Sequence, residues 1–335
     1  MRYLVRRSCT LVLTCWVALT VNFALPRLMP GNPAETMFSR YQGTVSPAAI
    51  SIMELNFGIN TKTGELGQYF DYLGHTLTGN LGISFSFFPA HVSTLIGEAL
   101  PWTLGLVGFA TIVAFLLGTT LGMVAAWRRG TAGWRRASLV DSVLVPFGLM
   151  LGALPVFWIA LMLLYFIAFK FGWFPIGYGL NPGAGIASWS GFVSLIHHAA
   201  LPAITLTLVL MGGWILLMRN NMLTVLGDDY VKFARAKGLR DRTVAYHYAA
   251  RNAILPVFSQ LALALGFAVG GQVFIEIVFS YPGIGFMLLN AVENEDYPLM
   301  QGIFLIITLA VLIASFLADV LYMFLDPRIR MESAK

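Results

Sequence analysis

Stretches of apolar residues too long to bury in a soluble core set the terms for this chain. A helix needs roughly 20 mostly apolar residues to cross the hydrocarbon of a bilayer. Six such runs are present, at about 8 to 26, 101 to 126, 138 to 169, 199 to 222, 253 to 279 and 299 to 325. Their lengths suit helices rather than barrel strands, because a spanning helix satisfies its own backbone polar groups. Composition agrees: 58% of the 335 residues are hydrophobic and 11% charged, against about 25% charged in an average soluble domain. The expected fold is an all-α, multi-pass membrane protein with six transmembrane helices.

The basic residues give the orientation, since Lys and Arg accumulate in cytoplasmic loops. With the N-terminus inside, the inner segments hold 17 of the 21 basic residues, leaving Arg27, Arg40, Lys62 and Lys170 outside. Both termini are then cytoplasmic. The net charge of +5 is this inside bias itself and requires no nucleic acid. The start, MRYLVRRSCTLVLTCWVALTVNFALPRL, has the basic head and apolar run of a signal peptide but no A-x-A-like site, and it reads as an uncleaved first span. Cys9 and Cys15 lie inside it and read as packing residues.

Four regions follow. Residues 1 to 28 form an N-terminal span, and 29 to 100 an outer segment with five acids and two bases. Residues 101 to 326 form a membrane core with an inner loop at 223 to 252, and 327 to 335 an inner tail. Within the outer segment, SPAAISIMELNFG and GQYFDYLGHTLTGN have helical spacing with glycine breaks. The third run is interrupted at GALPVFW, where Pro155 makes it either a bent span or a re-entrant turn.

The chain has no G-x-x-x-x-G-K-[ST] stretch, no H-E-x-x-H and no G-x-S-x-G, so the phosphate loop, the zinc helix and the nucleophile elbow are all missing. No catalytic residue, cofactor or metal site is expected. His197 and His198, being adjacent, read as a polar pair at the outer membrane surface rather than zinc ligands. Three carboxylates fall in or beside the apolar runs, Asp141, Glu276 and Asp319. Intramembrane acids face a partner or a water-filled path. Asp141 and Asp319 read as structural contacts, whereas Glu276 has two readings, a gate residue or a hydrogen bond between helices.

The polar segment DDYVKFARAKGLRDRTVAYHYAARNAILP, residues 228 to 256, is the chain's most informative stretch. Asp228 and Asp229 suit a helix start. Tyr230, Phe233, Ala234 and Lys237 follow at i, i+3, i+4 and i+7, and Gly238 suits the C′ position. A second helix is expected to lead through Pro256 into the fifth span. Ala234 and Ala236 are small enough for another surface to approach.

The order Ala234, Ala236, Gly238, then Leu255 and Pro256 about 17 residues later, resembles the coupling loop, or EAA motif, of ABC importer permeases, without that motif's leading Glu. GNPAE, GNLGISF, PVFWIALML, DYVKFARAKGL, RNAILPV, IEIVFSYPGIG, DYPLMQG and LADVLYMFLDPRIR extend the resemblance over nearly the whole chain. They are similar to the permeases of dipeptide, oligopeptide and nickel importers. The resemblance implies the type I ABC importer permease fold in a bacterial or archaeal inner membrane, paired with a second homologous permease. Two cytoplasmic ATPases would bind ATP and Mg, and an outside binding protein would deliver solute. Its coupling residues would be Asp229, Tyr230, Phe233, Ala234, Ala236, Lys237, Gly238 and Leu239. Glu276, Tyr281, Pro282, Gly283, Gly285, Asp296 and Tyr297 would form an outer gate or a structural turn. Oligopeptide is the first expectation for the solute, with oligosaccharide next and nickel last. A stand-alone ion-coupled carrier, working through Glu276 or Asp319, is the reading from another class.

Overall fold

A computed structural model describes residues 2 to 28, 64 to 131, 134 to 183, 185, 187 to 268 and 272 to 325. Side chains are described for 8 to 24, 64, 66 to 127, 142 to 183, 185, 187 to 268 and 272 to 317. SPAAISIMELNFG and the tail at 327 to 335 lie outside these residues, as do the side chains of Asp141 and Asp319. The described residues are overwhelmingly helical. In chain order the helices are α1 (Arg2–Leu28), α2 (Glu65–Leu77), α3 (Val92–Thr131), α4 (Trp134–Ala153) and α5 (Val156–Lys170). They continue with α6 (Trp189–Leu226), α7 (Asp229–Ala236), α8 (Asp241–Ala253) and α9 (Leu255–Phe267). The last three are α10 (Val273–Val278), α11 (Ile284–Glu293) and α12 (Tyr297–Leu325). The expected helix in GQYFDYLGHTLTGN is α2.

Among the described residues, three helices are long and apolar enough to cross a membrane, over Val92–Trp127, Trp189–Leu226 and Tyr297–Leu317, and two bent pairs raise the number to as many as five. The first pair turns by 100° between Ala153 and Val156. Pro155 stands at the corner as N-cap of α5, with extended backbone, and its carbonyl accepts from Trp158 N–H at 3.0 Å. A proline cannot donate into a helix, so the turn forms where the ladder would already be broken. The second pair, α8 and α9, bends by 48°. There Pro256 occupies the first turn of α9, where its missing N–H leaves no donor unsatisfied. The fifth apolar run is therefore divided, with α10 a separate short helix.

The described residues fall into two compact units, one from within 1 to 103, 272 to 273 and 282 to 316, the other from within 104 to 268, 274 to 281 and 317 to 325. In the first unit, Val92, Leu95, Ile96 and Ala99 pack with Ile284, Ala291, Leu299 and Ile303. Gly302 is required there because a Cβ would collide with the Val92 side chain. Asn22 of α1 donates to Gln301 O at 2.9 Å and to the Tyr72 hydroxyl at 3.1 Å, and Gln301 Nε2 donates back to Asn22 O at 3.0 Å. This reciprocal amide pair gives α1 a fixed register on α12, as polar groups do between helices in lipid.

The second unit is built around α6. Gly118 and Gly122 of α3 meet Trp214 and Ile215, and Gly148 of α4 meets Gly212 backbone to backbone, so neither helix has room for a Cβ. Ile215, Met218 and Met222 of α6 are fully buried and continue into a core with Val231, Val244, Ala249, Ala253 and Val257. The inner loop of the sequence is thus an extension of this core and not an appendage.

Candidate functional site

The loop between α6 and α9 folds as two helices joined at a glycine, as its sequence suggests. α7 starts at Asp228, whose backbone is extended and whose carbonyl accepts from Val231 and Lys232 N–H at 3.2 Å each. Its side chain makes no cap hydrogen bond, so Asp228 starts the helix through its backbone only. Asp229 instead pairs with Lys232 at 3.0 Å on the open surface, a contact worth little. At the other end Gly238 has φ +73° and its N–H donates to Arg235 O at 2.9 Å. This is the left-handed C′ position that glycine occupies without Cβ strain.

The apolar stripe differs from the expected one. Val231 is 0% and Ala234 2% exposed, and both face the core with Met222, Val244 and Ala249. Tyr230, Phe233 and Lys237, expected on the same face as Ala234, point outward, with Phe233 63% exposed. Ala234 is therefore an inward packing residue, and Ala236 with Gly238 offers the small outer surface. The difference follows from the pairing of i with i+3: Val231 and Ala234 supply the anchor, and the aromatic residues beside them stay exposed. Lys237 Nζ sits 4.8 Å from the Phe233 ring centroid, and Leu239 completes an exposed patch that is apolar and basic.

The next helix holds this knob from behind. Asn252 Nδ2 donates to the Tyr230 hydroxyl at 2.8 Å and to Tyr248 O at 3.1 Å. Residues Val244–Ala250 of α8 form a π-helical stretch, with Val244, Ala245, Ala249 and Ala250 buried. Such stretches mark places where a helix accommodates an altered register, often at functional positions. Arg235 is the other residue that sequence reasoning missed. Its guanidinium carbon lies 5.2 Å from the Trp127 ring centroid. Only the separation of Val231 and Ala234 by three residues could have pointed to the true buried stripe. Nothing local in the sequence pairs Arg235 with Trp127, 108 positions earlier.

The residues expected at the outer gate are divided between the two units. In the second unit Glu276 is fully buried on α10, and Tyr281 N–H donates to its carbonyl at 2.8 Å. Burial first, and the Glu276 carboxylate second, push the Tyr281 phenol up to about 12, leaving it a neutral hydroxyl. Tyr178 N–H donates to Phe279 O at 3.2 Å, and Gly177 approaches that carbonyl too closely for a Cβ. In the first unit Gly283 caps α11, its carbonyl accepting from Met287 at 3.0 Å, with Pro282 before it and Gly285 buried in the first turn. Ile284 N–H donates to Thr103 Oγ1 at 2.8 Å.

Asp296 is fully buried, and Tyr297 nearly so. The Asp296 carboxylate accepts from the Ser84 hydroxyl, from Ser86 N–H at 2.9 Å and from Leu299 N–H at 3.2 Å. It caps α12 and fastens the 79 to 91 loop in one arrangement, a structural use of a buried polar group whose hydrogen bonds are satisfied. His198 is buried with Nδ1 2.8 Å from Ser194 O, while exposed His197 lies 3.1 Å from Trp173 O. Among the described residues no His, Cys, Asp and Glu side chains form a group able to hold a metal.

A family profile described as "Binding-protein-dependent transport system inner membrane component" matches residues 118–331, which include the whole knob. Relatives align over nearly their full lengths. The di/tripeptide transport system permease protein DppB of Pseudomonas aeruginosa is 33% identical over 98% of both chains. The oligopeptide transport system permease protein AppB of Bacillus subtilis is 31% identical over 98% of both. The dipeptide transport system permease protein DppB of Escherichia coli is 30% identical over 98% of this chain and 99% of the relative. The chain therefore belongs to the binding-protein-dependent transport system inner membrane components, permease subunits of ABC transporters that are not themselves catalytic.

Proposed function

We propose that this chain is one of two homologous permease subunits of an ATP-driven importer of short peptides in a bacterial or archaeal inner membrane. The observation that carries the reading is the knob at α7. It is anchored in the membrane core through Val231 and Ala234, and it presents Tyr230, Phe233, Ala236, Lys237, Gly238 and Leu239 outward. A short helix with its aromatic residues exposed suits an apolar cleft on another protein. In this reading two cytoplasmic ATPases receive such knobs and bind ATP and Mg, and the ATP-driven closure of the ATPase pair pushes on them. The push passes through α8 into α9. An extracytoplasmic binding protein delivers the solute, and six spans with both termini inside place the knob on the ATPase side.

Peptide is favoured over oligosaccharide because the relatives carry peptide permease names. Nickel is disfavoured on the same ground. The test is reconstitution of the purified complex with its binding protein in proteoliposomes. Uptake of labelled di- to pentapeptides should require internal ATP and persist when proton and sodium gradients are collapsed. Uptake that follows an ion gradient without ATPase subunits would replace this reading with the ion-coupled carrier.

A further inference from the structure

α7 touches the membrane core in two directions. Val231 and Ala234 point into the core shared with α6 and α8, which is the route toward α9. Arg235, the next residue, reaches a different span: Trp127 is the last residue of the apolar stretch of α3. The Arg235 Nε and Nη2 atoms are buried and meet no hydrogen-bond acceptor among the described residues. Stacking on the indole is thus the contact that holds the buried part of the guanidinium. An apolar side chain would fasten α7 at lower desolvation cost, because buried donors without acceptors are unfavourable. A guanidinium supplies a flat, stiff bar whose charge is attracted to a tryptophan face.

We propose that Arg235 is a positioning residue that couples movement of the ATPase-facing helix α7 to the α3 span through Trp127. The inference rests on the permease reading above. One push on the knob then reaches two spans, α9 through the packed α8 and α3 through the Arg235 to Trp127 strut. Gly118 and Gly122 seat α3 against α6 without intervening side chains, so displacement at Trp127 is carried along a closely packed helix pair.

The test uses the full complex in proteoliposomes, with Arg235→Gln, Arg235→Lys, Trp127→Leu, Trp127→Phe and the double variant Arg235→Gln/Trp127→Leu. We expect the ATPases to co-purify and hydrolyse ATP as before, while uptake falls about tenfold in Arg235→Gln and in Trp127→Leu, within the usual range of coupling energies. The double variant should lose no more than either single one, and Trp127→Phe should retain most uptake. Arg235→Lys should fall between, keeping the charge and losing the flat face. Normal uptake in Arg235→Gln, additive losses in the double variant, or loss of ATPase subunits on substitution of Arg235 would each overturn the strut.

A second readout needs no solute. With Cys9→Ser and Cys15→Ser as background, Ser93→Cys at the far end of α3 is labelled with maleimide in the presence and absence of ATP and vanadate. The nucleotide-dependent change in labelling should vanish in Arg235→Gln, and its persistence there would also overturn the proposal. If the unaltered complex takes up no peptide, the substrate reading fails while this labelling still decides the strut.

Discussion

Gly238 shows how one residue sets the geometry of the knob. Nothing lies within 4 Å of where its Cβ would be, so substitution meets open space, and its cost is the backbone at φ +73°. Moving an L-residue into that region costs about 1–2 kcal/mol, less for Asn. Gly238→Ala should therefore destabilise the loop by about 1 kcal/mol, and Gly238→Asn by less, as read from thermal unfolding in detergent. Gly238→Asp adds a charge to the outward surface and should separate ATP hydrolysis from uptake in proteoliposomes. Uptake by Gly238→Asp at the unaltered rate would exclude this surface from docking.

Tyr281 carries a pH prediction at the same scale. Its folded value near 12 lies above the ordinary 10, so the neutral phenol stabilises the fold fully below pH 10. That contribution is lost as pH rises from 10 towards 12, where the unfolded chain releases the proton more readily. The unfolding temperature of the purified protein should fall over this interval, and Tyr281→Phe should flatten the fall. An identical slope in both proteins would refute it.

At the scale of elements, α7 has two faces that mutation can separate. Val231→Asp buries an unpaired charge among Met222, Val244 and Ala249 and should cost about 3 kcal/mol or more, lowering the amount of folded protein. Phe233→Ala removes an exposed ring and should change folding stability by less than about 0.5 kcal/mol. Loss of an aromatic anchor at an interface costs about 1–4 kcal/mol of binding, so ATPase co-purification should drop for Phe233→Ala while the permease itself stays intact. Equal ATPase recovery would show that the aromatic face is not the docking face.

The sequence made the two-helix plan of this loop legible because the Gly238 turn and the Pro256 helix start are local signals, each fixed by one residue's backbone chemistry. The buried stripe was misread because α7 is only eight residues long, and in so short a helix Tyr230, Phe233 and Val231 all satisfy helical spacing. Tertiary packing decided among them. The Asp296 tie to Ser84 and the Arg235 contact with Trp127 were illegible for a different reason. They join residues 212 and 108 positions apart, and periodicity carries no information about which distant partner an element meets.

For the whole molecule, helix lengths leave one decisive question about threading. α3 with 40 residues and α6 with 38 extend nearly 60 Å at 1.5 Å per residue, twice the thickness of the hydrocarbon core. Each is therefore long enough to cross and also to project well beyond it. The bent pairs are ambiguous by length alone, since a 100° turn at Pro155 is compatible with a crossing and with a return to the starting side. Six spans with both termini inside require both pairs to cross. Exposed positions Ser93, Tyr178 and Glu293 should then lie outside, and Lys237 inside.

Single cysteines at these four positions, in the Cys9→Ser and Cys15→Ser background, distinguish the threadings. A membrane-impermeant maleimide applied to intact cells should label Ser93→Cys, Tyr178→Cys and Glu293→Cys, and should reach Lys237→Cys only after permeabilisation. If α4 and α5 formed a re-entrant hairpin, Tyr178 would fall on the side opposite Ser93. If α8 and α9 did, Glu293 would share the side of Lys237. Either pattern would also move basic segments outside, against the distribution of 17 inner and four outer basic residues that sets the orientation.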